Sequence, residues 1–293
     1  MSTHSKQLGA LSFCAATVPS VLFLPQVGWV YAGAAIIIVS ILFCVASNFP
    51  ICKTRRILIA LLVWNFVALG ATADAICAAF PDGNALIGIL LLLLAAYAAG
   101  KNRILSVGAA ALFILLILYS MLIGFSIPKM QWQTRPLNWQ ILSTALTPML
   151  CLFLRRDHER PRLWLIGAIL LTVLVAAATG PADSFYTAMK SISILGAMER
   201  LEPLVSVALT IGAFCLLGMI CTVNETIISK LFASKKNCTD FANFFLGGVG
   251  IYLSRVLGST VLAIGTAIFW GLIPLLPLLV EIGKKLRKNK KNA

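Results

Sequence analysis

The sequence predicts an all-α, polytopic membrane protein. It is expected to have ten transmembrane helices in two inverted repeats of five, with breaks in the first and sixth helices. Three observations lead there. Hydrophobic residues make up 60% of the 293 and charged residues only 12%, with a mean hydropathy of +0.95. A soluble domain carries about 25% charged residues, so lipid is expected over most of this chain's surface. The second observation is the alternation of basic residues from loop to loop. The third is a pair of proline-interrupted runs in corresponding positions of the two halves.

Ten apolar runs are legible, at residues 7–24, 27–47, 57–80, 84–100, 104–125, 137–154, 163–179, 204–228, 241–255 and 258–280. Most have the roughly 20 residues that a bilayer demands. The ninth is the weakest, being short and rich in glycine. With the N-terminus inside, 19 of the 24 lysines and arginines fall on the inner side. Only Lys129, Arg135, Lys190, Arg200 and Arg255 fall outside. This is the positive-inside bias, and it predicts a multi-pass protein of the cell membrane with both termini cytoplasmic. Residues 1–125 form the first five-helix repeat, 126–283 the second, and 284–293 a basic tail. Five spans per half is an odd number, so the halves have opposite orientation.

Pro19 interrupts the first run, among Thr17, Val18 and Ser20, and Pro148 interrupts the sixth, after Thr144 and Thr147. Proline removes an amide donor and clashes with the carbonyl four residues back. Thr17 and Thr147 each lie ten residues from the start of their run, a depth of about 15 Å. Paired breaks of this kind point to a solute site near the midplane. The residues expected to line it are Thr17, Val18, Pro19, Ser20, Thr144, Thr147 and Pro148. Free helix ends carry partial charges of about +0.5 and −0.5, so together they suit a small zwitterion. The plainer reading is two kinks satisfied by the threonine hydroxyls.

Asp74 is an intramembrane carboxylate near the outer end of the third run. It reads equally as an ion or proton site and as a carboxylate solvated at the outer mouth. Asn65 lies nine residues earlier, on the opposite helical face. Ser206 and Thr210 share a face of the eighth run, suited to an ion or, more commonly, to a neighbouring helix. Glu225 sits near the inner end, within reach of Lys230, and Asp240 at the boundary of the ninth run. The glycines of Gly247-Gly248-Val249-Gly250 are expected to let helices approach closely.

Several function classes drop out. The eight cysteines show no metal-ligand spacing, so no metal site is expected. There is no Walker motif or nucleophile elbow, and no paired intramembrane carboxylates, so neither an enzyme nor a cofactor is expected. The net charge of +14 comes from short basic clusters between apolar runs, which argues against nucleic acid as a partner. No small-residue cleavage site follows the first run, so no signal peptide is expected.

Three stretches carry a family likeness. Lys6-Gln7-Leu8 opens the first run, which closes on Val21-Leu22-Phe23-Leu24-Pro25. Gly196-Ala197-Met198-Glu199-Arg200-Leu201-Glu202-Pro203-Leu204 leads into the eighth. Phe269-Trp270-Gly271-Leu272-Ile273-Pro274 precedes the lysine tail. In these the chain resembles the membrane-embedded B subunits of spore germinant receptors, within the amino acid–polyamine–organocation superfamily. The resemblance implies the leucine-transporter-like fold, with helices 1 and 6 unwound around a small-molecule site. It also implies the inner membrane of a spore and other germinant-receptor subunits as partners. The chain departs from the superfamily at Val18-Pro19-Ser20, where a glycine-rich break is usual. The expected function is a germinant-receptor-like membrane subunit that binds, and in one version transports, a small polar solute such as an amino acid. A stand-alone secondary transporter and a non-transporting structural membrane partner are the alternatives.

Overall fold

The structure is a computed structural model that describes residues 3–23, 37–38, 41–43, 45–46, 48, 54–79, 85–126, 146–154, 202–232 and 237–292. Among the described residues every regular element is helical. They are α1 (Thr3–Phe23), α2 (Arg55–Ala79), α3 (Ala85–Gly100) and α4 (Ile104–Ser126). A 3-10 turn (Thr147–Leu150) leads into the short α5 (Cys151–Leu154). Next come α6 (Glu202–Phe232), α7 (Asn237–Thr266), a π turn (Ala267–Leu272) and α8 (Ile273–Asn292). Four stretches are long and apolar enough to cross a membrane: Arg55–Cys77, Thr210–Phe232, Thr239–Gly258 and Thr260–Gly283. Leu86–Gly100 and Ile104–Ile117 are shorter apolar helices. The described residues are thus all-helical, with four helices long and apolar enough for a multi-pass membrane protein. Helices suit lipid because each one satisfies its own backbone.

The contacts give the helix directions. Asp74 near the end of α2 meets Arg255, and Gly70 lies against Gly250, so α2 and the first limb of α7 run parallel. The chain then reverses at Gly258, whose backbone is non-helical (φ 74°, ψ 162°). Beyond it Gly265 and Phe269 lie against Trp64, ten residues back down α2 from Asp74. A straight α7 would carry Gly265 away from Trp64, so α7 is two limbs of a hairpin. The weak ninth run is thus a helix long enough to cross, and the tenth returns beside it. The α3–α4 connection is a tight turn through Asn102 in the left-handed region (φ 54°), a conformation that asparagine tolerates. The helix ends that carry Arg55, Lys101, Arg103 and Lys230 gather at one end, called here the basic end. Gly100, closing α3 there, touches Asp240 in the first turn of α7.

α6 is the centre. It contacts α1, α2, α3, α4, α5 and α7. Its most apolar stretch is 72% buried within the protein, against 22% for the first limb of α7. That limb exposes Phe241, Phe245, Val249, Tyr252 and Val256, the face suited to lipid. Where it meets α2, the two backbones touch. A Cβ at Gly70 would overlap Gly250 backbone, and one at Gly250 would overlap the Phe66 carbonyl. Gly248 faces open space. The glycines therefore permit close helix approach, as their pattern predicts.

One expectation is corrected. α1 stays helical through Pro19 to Phe23, so the first helix is not broken there. A proline deletes one intrahelical bond, and neighbouring groups in a membrane bundle can absorb that loss without unwinding. Near Pro148 the backbone does leave the α-helix, as the 3-10 turn Thr147–Leu150. The run at 163–179, nearly all of 27–47 and the first part of 137–154 lie outside the described residues.

Candidate functional site

Two irregular turns meet in the interior. The 3-10 turn carries Thr147 and Pro148, and the π turn carries Phe269 and Trp270. They are in contact, and Leu146 packs on Gly271, where an added Cβ would lie 3.3 Å from it. Chemistry explains the π turn. Pro274 offers no N–H to the Trp270 carbonyl, and its ring pushes that carbonyl away. The Ile273 N–H bonds instead to the Ile268 carbonyl, five residues back. Irregular backbone at membrane depth is tolerated where protein or a wet cavity covers it, and π turns recur at functional sites.

α2 closes one side of this locus. Trp64 stacks on Phe269 (centroids 5.3 Å apart, planes at 11°), in the space that Gly265 leaves. Beside it the Trp270 indole N–H donates to Asn65 Oδ1 at 2.9 Å. An indole only donates, so this bond fixes the amide with its NH2 turned away. Asn65 is fully buried, and its Nδ2 has no hydrogen-bond partner. Trp64 Nε1 is likewise buried and unpartnered. Asn65 lies ten residues into α2, about 15 Å along it, which is mid-bilayer for a 30 Å core. The site therefore holds two spare donors, both in a setting where an unmade bond is costly.

α1 closes the other side and contacts the 3-10 turn. The Ser12 hydroxyl donates to the Leu8 carbonyl (2.7 Å), and Ser12 Oγ lies 2.6 Å from Cys151 Sγ. Cys151 Sγ is 3.4 Å from Met219 Sδ on α6. Ser12, Cys151 and Met219 are all buried, so this polar contact pins α1 to α5 and α6.

The residues expected from sequence distribute as follows. Thr17, Val18, Pro19 and Ser20 lie in the last turns of α1, and Thr147 and Pro148 in the 3-10 turn. The side chains of these six, and Thr144 entirely, lie outside the described residues. Asp74 accepts from Arg255 at 2.6 Å and 3.2 Å, at the far end of α2 from the basic end. It does not reach the midplane locus. Thr210 is half-buried on α6, and the Ser206 side chain lies outside the described residues. Sequence reasoning missed the Asn65–Trp270 pair and the π turn. The signals were an intramembrane asparagine on one helix and Pro274 following an aromatic pair on another. Among the described residues no group of three or more His, Cys, Asp or Glu is placed to hold a metal ion.

No protein-family model matches the chain, and no curated protein matches it.

Proposed function

We propose that the chain is a solute-binding membrane protein that holds a small polar molecule, such as an amino acid, between α1, Asn65 and the two irregular turns. One observation carries this: two non-α turns touch at mid-bilayer depth beside a buried amide with unpartnered protons. The spare N–H groups suit a carboxylate. A carbonyl deprived of its donor by Pro274 suits an ammonium group.

The inverted-repeat reading adds support. Under it, the 3-10 turn and α5 correspond to α1, α6 to α2, the first limb of α7 to α3, and the second limb with the π turn to α4. A two-fold relation requires each contact to have a counterpart. The α2–α3 contact is matched by α6–α7, the α2–α7 contact by α3–α6, and the α1–α4 contact by 3-10 turn with π turn. The contact of α4 with α6 is matched by that of the second limb with Trp64 on α2. With the basic end in the cytoplasm, this is the arrangement expected of a germinant-receptor-like membrane subunit, lodged in a spore's inner membrane beside its partner subunits. The same symmetry also favours a stand-alone secondary transporter.

The test uses purified full-length protein in lipid nanodiscs, screened for thermal stabilisation by single amino acids and related zwitterions. Saturable stabilisation by at least one of them is expected, and none across the panel would defeat the proposal. Uptake of the same solute into proteoliposomes then separates transport from sensing.

A further inference from the structure

From the hairpin at Gly258, the second limb of α7, the π turn and α8 run towards the basic end. Gly265 and Phe269 lie against Trp64, ten residues down α2 from Asp74, so this rod heads for Arg55 at the start of α2. Its apolar span, Thr260–Gly283, has 24 residues. That is about 36 Å of helix, more than a hydrocarbon core of about 30 Å. α8 does not stop at this boundary. It stays helical to Asn292.

The sequence changes character there. Leu279, Val280 and Ile282 are exposed and apolar, a surface suited to lipid. From Lys284 to Lys291, six of eight residues are lysine or arginine. Lys284, Arg287, Lys288 and Lys291 fall at i, i+3, i+4 and i+7, which is one helical face. Val280, 56% exposed, lies one turn earlier on the same face. The basic stripe therefore continues a lipid-exposed surface of α8. Positions 284–288 extend about 7.5 Å past Gly283, the thickness of a headgroup layer. The neighbouring helix ends carry the same sign, with Arg55, Arg56, Lys101 and Arg103 all exposed. Glu281 offsets one of the six charges on α8, and Glu225 and Asp240, on α6 and α7, are part-buried.

We propose that this face of α8 binds the anionic phospholipids of the leaflet at the basic end, through Lys284, Arg287, Lys288 and Lys291. Lysine meets a phosphate as a point charge, and arginine meets it with paired N–H donors. A zwitterionic headgroup sets its own cation beside its phosphate, so the lipids held are those with net negative charge. The face stands whether or not the midplane binds a solute.

The experiment places the purified full-length chain in phosphatidylcholine liposomes with a trace of spin-labelled phosphatidylglycerol or spin-labelled phosphatidylcholine. The motionally restricted part of the spectrum measures lipid held at the protein. A preference of about threefold or more for phosphatidylglycerol is expected at low salt. Salt at about 1 M, where charges are screened within about 3 Å, is expected to remove most of it. Replacing the stripe, as Lys284→Gln, Arg287→Gln, Lys288→Gln and Lys291→Gln together, is expected to do the same. Lys284→Arg with Lys288→Arg and Lys291→Arg keeps the charge and is expected to keep the preference. If the fourfold variant fails to insert, Lys288→Gln with Lys291→Gln decides, with a loss of about half expected. No preference in the wild type overturns the proposal, as does one that survives the glutamine variants or 1 M salt. Capture of soluble polyglutamate in place of a lipid preference overturns it too, and makes the face a site for an acidic protein.

Discussion

Asn65 gives its carbonyl oxygen to the Trp270 indole and keeps its amide protons unpaired. The two residues are 205 apart in sequence, and the energetics of such a pair are asymmetric. Asn65→Leu would strand a buried indole N–H, a loss of about 1–3 kcal/mol. Removing both polar groups, as Asn65→Leu with Trp270→Phe, leaves nothing stranded. The double variant is therefore expected to melt above Asn65→Leu alone, by thermal denaturation in nanodiscs, and to bind no solute. If the two losses simply add, the hydrogen bond is not what holds this corner. Ser12, Cys151 and Met219 make a different kind of contact, closed among themselves, and no ligand is needed to explain it.

The element that sets the geometry is the parallel crossing of α2 and the first limb of α7. It brings backbones together at Gly70 and Gly250, and so fixes how far down α2 the returning limb places Phe269 and Trp270. Gly70→Ala and Gly250→Ala each force a Cβ into backbone, with an expected cost of about 1–3 kcal/mol. Gly248→Ala meets nothing and is expected to be neutral. Equal melting temperatures for all three variants would contradict the crossing. Much at this scale was legible in sequence. The runs at 57–80, 84–100 and 104–125 match Arg55–Ala79, Ala85–Gly100 and Ile104–Ser126 to within two residues at each end, because lipid enforces unbroken helices over apolar stretches. The prolines were harder to read. Pro19 leaves α1 helical, Pro148 sits in a 3-10 turn, and Pro274 follows a π turn. A missing N–H is a local fact, but which irregularity it produces depends on the neighbouring helices. The Asn65–Trp270 pairing was not legible, since no local pattern marks partners so far apart.

At the scale of the whole molecule the account makes two claims, about sidedness and about where solute binds. In a background with the native cysteines replaced, Met130→Cys and Lys190→Cys are expected to react with an impermeant maleimide only from outside the cell. Labelling from the cytoplasm would invert the map. The midplane claim is the central one, and equilibrium binding of the stabilising solute to purified variants tests it most directly. Thr147→Val keeps the shape of the 3-10 turn residue and removes its hydroxyl, while Asn65→Leu removes the spare amide donor and leaves that of Trp64. Both are expected to fold and to lose most of the binding, whereas Asp74→Asn, altered only in its ion pair with Arg255, is expected to bind like the wild type. Full binding by the two midplane variants, with loss in Asp74→Asn, would place the site at the outer mouth and contradict the account.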